Sequence, residues 1–187
     1  SKFSMGLFVI YFGSKVKYEK IAHHTIILSK RYKKLLSDIF NGNKLPEDFS
    51  LYLHRPTATD SSLAPQGCDS FYVLSPVPNL KVANIDWDNV SENYAKKILS
   101  FLGKDIMPNL MDNLDHFFWM SPNDFKSDYN SMYGAGFSIA PIFYQSAWFR
   151  YHNKSKYENL YQVGAGCHPG AGVPGVLSSA KIVEKLI

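Results

Sequence analysis

The stretch that most constrains this chain lies near its carboxyl end: Leu160-Tyr-Gln-Val-Gly-Ala-Gly-Cys-His-Pro-Gly-Ala-Gly-Val-Pro-Gly-Val-Leu-Ser-Ser-Ala180. Residues 160–163 form a short apolar run that stops at glycines, and residues 176–187 carry apolar side chains at helical spacing. The order is strand, glycine loop, helix, which is the order that dinucleotides bind. Gly164, Gly166, Gly170, Gly172 and Gly175 remove the Cβ atoms that would hold a ligand off the backbone, and they permit positive φ in a tight turn. Pro174 suits the first helical turn, where its missing N–H is no loss. The free N–H groups of that turn, at the positive end of the helix dipole, would face a phosphate or an electron-rich ring edge. A plain strand-to-helix turn reads the same way, and both readings stay open here. Gly164-Ala-Gly166 is followed by Cys167, His168 and Pro169, so the third glycine of a Gly-x-Gly-x-x-Gly fingerprint is absent, as is a complete fingerprint upstream.

With 187 residues, 45% hydrophobic and 19% charged, the chain can build one domain with a real core. It starts at Ser1 and ends at Ile187 within an apolar helical pattern that has no capping signal, so the reading expects a piece of a longer protein. Twelve Tyr, thirteen Phe and three Trp are enough for an apolar pocket or tunnel, or for a large aromatic core. The net charge of +4 comes from residues such as Lys15, Lys17, Lys20, Lys30, Arg31, Lys33 and Lys34. No basic run is interleaved with stacking aromatics, which argues against nucleic acid. A solvated face is the default, with anionic lipid head groups as the alternative. Cys68 and Cys167 show no Cys-x-x-Cys spacing, which points to a reducing compartment and away from structural zinc. With no His-x-x-His and no acidic cluster, no metal site is expected. The longest apolar stretch, around residues 5–12, is too short to span a bilayer.

Along the chain, residues 7–12 and 25–28 read as strands. Ser29 would cap a helix whose Tyr32, Leu35, Leu36, Ile39 and Phe40 form one apolar face that must pack on a sheet, with Gly42 ending it. Strands follow at 51–54 and 71–74, around a polar segment at 56–66. Val90, Tyr94, Ile98 and Leu102 mark another amphipathic helix before Pro108, and a short helix is expected near Leu110. Residues 116–120 read as a strand, and Ser121-Pro122 as a capped helix entry. Residues 137–151, aromatic and broken by Pro141, suit a winding segment along a cavity. The fold class expected is α/β of an α+β-like kind, with a mixed sheet and packed helices.

Six separated blocks, Ala22-His-His-Thr25, Asp48-Phe-Ser-Leu-Tyr-Leu-His54, Thr59-Asp-Ser-Ser-Leu-Ala-Pro65, Tyr72-Val-Leu-Ser-Pro-Val-Pro78, Gln145-Ser-Ala-Trp-Phe-Arg150 and the glycine-rich tail, closely resemble the carboxy-terminal portion of bacterial phytoene desaturases. The resemblance spans nearly the whole chain. It implies an FAD-dependent carotenoid desaturase, related in fold to the flavin amine oxidases, whose discontinuous Rossmann-like FAD domain is assembled from both ends of the polypeptide. Residues 1–158 would then belong to the substrate domain, and residues 159–187 would be the last strand, loop and helix of the FAD domain. The rest of that polypeptide would be a partner of this chain. The implied reaction removes two hydrogens from 15-cis-phytoene, on the way to lycopene, one as hydride to the flavin. Two alternatives remain: another carotenoid-acting flavoprotein, isomerase or saturase, and a polyene-binding module without catalysis.

Within that resemblance Gly164, Ala165, Gly166, Cys167, Gly172, Val173, Pro174 and Gly175 lie beside the flavin. Cys167 stands where the family has threonine, and a thiol is the weaker donor. Phe137, Phe143, Tyr144, Trp148 and Phe149 are the candidates for contact with the polyene. Arg150 would steer charge near the ring, or form a surface or structural ion pair. His168 would carry a proton or fix its loop through a backbone hydrogen bond. His23 and His24, adjacent on a strand, would point to opposite faces, so that at most one faces a site. A lipid-soluble substrate implies a cytoplasmic bacterial protein held peripherally at a membrane surface.

Overall fold

The computed structural model describes residues 1–187. Its centre is a five-stranded sheet of β1 (Gly6–Ser14), β2 (His24–Ile27), β3 (Leu51–His54), β4 (Asp69–Val77) and β5 (Leu114–Met120), in the order β2-β3-β4-β1-β5. The helices are α1 (Tyr32–Asn41), α2 (Trp87–Asp105), α3 (Leu110–Asn113), α4 (Pro122–Tyr129) and α5 (Val173–Glu184). Every expected strand up to residue 120 and every expected helix is present.

The sheet is antiparallel at each pairing, not mixed. The crossover that would give parallel neighbours does exist, since β4 and β5 run the same way on either side of α2. The first strand, β1, occupies the gap between them and turns one parallel pair into two antiparallel ones. It lies one strand in from the β5 edge, and its near-continuous burial reaches Leu7, which the chain at Gly136 covers.

Phe8, Ile10, Phe12, Leu51, Leu53, Phe71, Val73 and Val77 alternate along their strands onto one face. That face is covered by α2, whose buried Trp87, Tyr94, Ala95, Ile98, Leu99 and Leu102 recur at helical spacing. Asp86 caps α2 by accepting from the Asn89 N–H. The Tyr94 hydroxyl, deep in this core, bonds Ser75 Oγ at 2.8 Å, and burial pushes its pKa up. At the entry to α4, Ser121 and Asp124 complete a capping box with Pro122 in the first turn.

Other expectations are corrected. Ser29 Oγ accepts the Arg31 N–H rather than capping the helix directly, because α1 begins later, at Tyr32. Only Leu35 and Ile39 of α1 are buried, outside the sheet core, while Tyr32, Leu36 and Phe40 stay exposed. Residues 160–163 form no strand; Tyr161 makes a single bridge to Lys154, because no strand edge of the sheet lies alongside.

The winding segment consists of short 3-10 turns at Phe143–Gln145 and Ala147–Phe149. It is anchored at its start by the chain leading into β1. Ser4 donates to Ser138, Gly136 to Met5 and Ala140 to Lys2, and the Gln145 side chain bonds both main-chain groups of Lys2. At Gly136 a Cβ would lie 2.4 Å from Leu7 Cγ, so this close approach requires glycine.

Candidate functional site

The glycine loop closes onto α5 through one serine. Buried Ser179 accepts the Gly164 N–H at 2.8 Å and donates to the Val176 carbonyl at 2.6 Å, which brings the two ends of the loop together. Gly172, the residue before α5, has φ +97° and supplies no side-chain cap, and Pro174 stands in the first turn as anticipated. The N–H groups of Gly166, Gly172, Val173 and Gly175 donate to no acceptor in the protein. At Gly164 and Gly172 a Cβ would meet nothing within 4 Å, so the main chain there borders open space. At Gly175 a Cβ would lie 2.7 Å from the Gly170 carbonyl oxygen, so here glycine serves the packing of the loop against its own helix.

Arg150 is buried and forms no ion pair. Its Nε and Nη2 donate to the Ala165 carbonyl at 2.9 and 2.6 Å, Nη1 to Gln145 at 3.1 Å, and Nη2 also to Phe137 and Ile139 at 3.1 and 3.2 Å. One guanidinium thus joins the winding segment to the glycine loop. Its aliphatic end runs beneath Gly170, where a Cβ would sit 3.5 Å from Cδ. Asn153, also buried, donates to the carbonyls of Gln162 and His168. Cys167 is turned inward toward the carbonyls of Gly164 and Gln162, and burial pushes its thiol up, keeping it protonated. His168 Nδ1 lies 2.9 Å from the Ala147 carbonyl, a contact of the loop-fixing kind.

Phe143, Tyr144, Trp148 and Phe149 are strongly exposed, and Phe137 is at the margin of exposure. Phe143 and Phe149 meet with ring centroids 5.7 Å apart, whereas Trp148 packs edge-on to His152 and His168. A second aromatic array lies on the sheet face opposite α2. Phe118 stacks on Tyr11 at 5.0 Å, Tyr11 approaches Tyr72 at 6.0 Å, Tyr72 stacks on His54 at 4.6 Å, and His24 stacks on Tyr52 at 5.8 Å. The strip crosses all five strands. A cleft of about 590 Å³ opens over part of it, walled by Tyr11, Tyr72, Phe118, Leu63, Pro65 and Cys68. Burial and the Tyr52 hydrogen bond push Tyr72 up to about 12, and burial also raises Tyr11, so both phenols stay neutral. The rim is held by buried Asp69, which accepts from Tyr18 N and Thr57 Oγ1 at 2.7 Å each. Arg55 Nε lies 3.0 Å from Asp69 as a charge partner, off the line of its N–H.

The histidines overturn the expectation that His23 and His24 face apart. His23 precedes β2 in a bend, so strand alternation does not apply to it, and its ring lies 4.4 Å from that of His24 and 4.6 Å from that of His54.

Comparison with known sequences bears on what this arrangement belongs to. The chain is 48% identical over 187 residues to a phytoene desaturase (lycopene-forming) of Pantoea ananas, covering all of this chain and 38% of that protein. It is 50% identical over 190 residues to a phytoene desaturase (neurosporene-forming) of Cereibacter sphaeroides, covering 99% of this chain and 36% of the relative. The chain belongs with the carboxy-terminal portion of the carotenoid desaturases. It spans between a third and two-fifths of the length of these relatives. A 4,4'-diapophytoene desaturase (4,4'-diaponeurosporene-forming) of Staphylococcus haemolyticus is 37% identical over 195 residues, covering 98% of this chain and 37% of that protein. No family model matches. The crystal structure of an oxidoreductase from Methanosarcina mazei superposes on 97% of this chain and 35% of its own, with a TM-score of 0.49 at 15% identity.

Sequence reasoning missed three parts of this carotenoid-desaturase segment: the aromatic strip, the histidine cluster and Asn153. The strip had a signal. Tyr11, Tyr52, Tyr72 and Phe118 each occupy an outward position of a strand whose neighbours point into the core. The other two had none, because they depend on which strands pair and where the chain bends.

Proposed function

We propose that the whole protein is an FAD-dependent desaturase acting on phytoene, and that residues 159–187 border the flavin while residues 1–158 form the substrate side. The observation that carries this reading is the end-to-end match at 48–50% identity to proteins named phytoene desaturases. The residues present fit one edge of a flavin: unpaired N–H groups at the start of α5 adjoin main chain that no Cβ covers. The chemistry a bound flavin supplies is two-electron acceptance, so that a CH–CH unit becomes C=C as one hydrogen leaves as hydride and the other as a proton.

The chain's own residues bind, orient and exclude water. The N–H groups of Gly166, Gly172, Val173 and Gly175 would hold the electron-rich edge of a bound ring by their partial positive charge. Behind the loop, the buried charge of Arg150 favours negative charge in the same place, while its hydrogen bonds set the height of the loop. We therefore assign Arg150 a positioning and electrostatic role, and His168 the role of holding the loop to Ala147. The strip from Phe118 to His54 offers a long apolar wall, with neutral phenols, along which a polyene can lie, and Phe137, Phe143, Tyr144, Trp148 and Phe149 supply further apolar surface nearer the loop.

Membrane attachment is part of the proposal. No helix is long and apolar enough to cross a membrane. Exposed Tyr32, Leu36 and Phe40 lie one turn apart on α1 beside Lys30 and Lys33, which pair with no carboxylate, whereas Arg31 and Lys34 pair with Asp38 and Asp48; apolar and basic side chains together are the pattern of a helix that lies in an anionic interface. We place the protein on the cytoplasmic surface of a bacterial membrane. The decisive assay supplies the full-length, flavin-loaded protein with phytoene in liposomes and separates the carotenoids. More-unsaturated products are expected; unchanged, isomerised or saturated phytoene would overturn the reading.

A further inference from the structure

Three histidines gather at one end of the aromatic strip, and only the ring face of His54 enters the wall proposed above. His24 and His54 are directly opposed in the β2–β3 register, so two paired strands set their spacing, and His23 joins them from the bend before β2. One ligating nitrogen of each ring lies within 4.8 Å of the other two. His24 Nδ1 and His54 Nδ1 are 3.4 Å apart. Two nitrogens bound tetrahedrally at about 2.0–2.1 Å lie about 3.3 Å from each other, so this pair already has the spacing of two metal ligands.

The surroundings select the kind of ion. Neither a carboxylate nor a cationic side chain bonds to any of the three rings; their partners are Tyr52, Thr59 and one another. Imidazole donors without oxygen anions suit late first-row transition ions and not calcium or magnesium. Thr59 Oγ1 lies 2.5 Å from His23 Nδ1, and the Tyr52 hydroxyl lies 2.7 Å from His24 Nδ1 and 3.2 Å from His54 Nδ1, so these hydroxyls stand beside the same nitrogens, where an ion bound through them takes their place.

We propose that His23, His24 and His54 form a binding site for a divalent ion of the zinc type, with three imidazole ligands and a fourth position beside Tyr52 on the open face of the sheet. The site staples the edge strand β2 to β3 and terminates the aromatic strip, since His54 stacks on Tyr72. None of the three histidines is among the residues placed beside the flavin.

The test uses the full-length protein, stripped with chelator and titrated with Zn²⁺ by calorimetry. One equivalent is expected to bind, and His24→Ala and His54→Ala each weaken binding by more than about 100-fold, beyond what loss of an outer partner does. Tyr52→Phe, which removes the bridging hydroxyl but no imidazole, retains the ion with at most about a 100-fold loss. Should a histidine variant fail to fold, electron paramagnetic resonance of the wild type loaded with one equivalent of Cu²⁺ decides, with coupling to three nitrogens expected. No Zn²⁺ binding by the wild type, equal binding by a folded His24→Ala variant, or copper coupled to fewer than three nitrogens would each overturn the site and show that the cluster is only a hydrogen-bonded network.

Discussion

Arg150 shows how much can depend on one side chain that meets no opposite charge. Its donors reach four carbonyls, of Phe137, Ile139 and Gln145 in the winding segment and of Ala165 in the glycine loop. Lysine keeps the charge but has a single nitrogen, which cannot reach them all. We expect Arg150→Lys in the full-length protein to lose about 2–3 kcal/mol in urea unfolding, from carbonyls left unpaired, and to retain less flavin. An unchanged urea midpoint would show that the guanidinium is dispensable. The sequence pointed to this arginine through its place after an aromatic run, but it did not distinguish an ion pair from a carbonyl clamp. That distinction depends on loops that meet only after folding, as it does for Cys167, whose inward turn has no local signature.

Among the elements, those with a complete local pattern were legible. β3 was read to the residue, and α2 and α4 announced themselves by periodicity and by Ser121-Pro122. Reading failed where a neighbour decides. The sheet was expected to be mixed; β4-α2-β5 is a crossover, but tertiary pairing inserts β1 between its arms and leaves every pairing antiparallel. Residues 160–163 have the composition of a strand but no adjacent edge to join. The glycines of the loop-helix unit are required for unequal reasons. Gly175→Ala would drive a methyl against the Gly170 carbonyl, shifting the start of α5. Overpacking of this sort costs about 1–3 kcal/mol. We therefore expect the Kd for FAD in the full-length protein to rise about 10-fold, an equivalent of about 1.4 kcal/mol. Ser178→Ala, on the exposed side of the same helix, should leave the Kd unchanged. Equal affinities for both variants and the wild type would separate this helix start from cofactor binding.

For the molecule as a whole, charge and apolar exposure coincide on α1 and separate from the aromatic strip, so attachment and substrate contact are open to independent tests. We expect the full-length protein to sediment with anionic liposomes at low salt and less at high salt, as the contribution of the unpaired Lys30 and Lys33 is screened. Replacing Tyr32, Leu36 and Phe40 together by Ser should reduce sedimentation at both. Absence of sedimentation at either salt concentration would remove the membrane from the proposal. The two faces of the sheet also differ in what substitution can do to them. One is sealed by α2 and carries the folding energy of the core; the other bears Tyr11, Tyr72 and Phe118, which contribute little to that core. If the proposed reading of the strip holds, variation on this second face would retune the accepted chain length or the extent of oxidation while the scaffold stays intact, giving evolution latitude in specificity without loss of foldability.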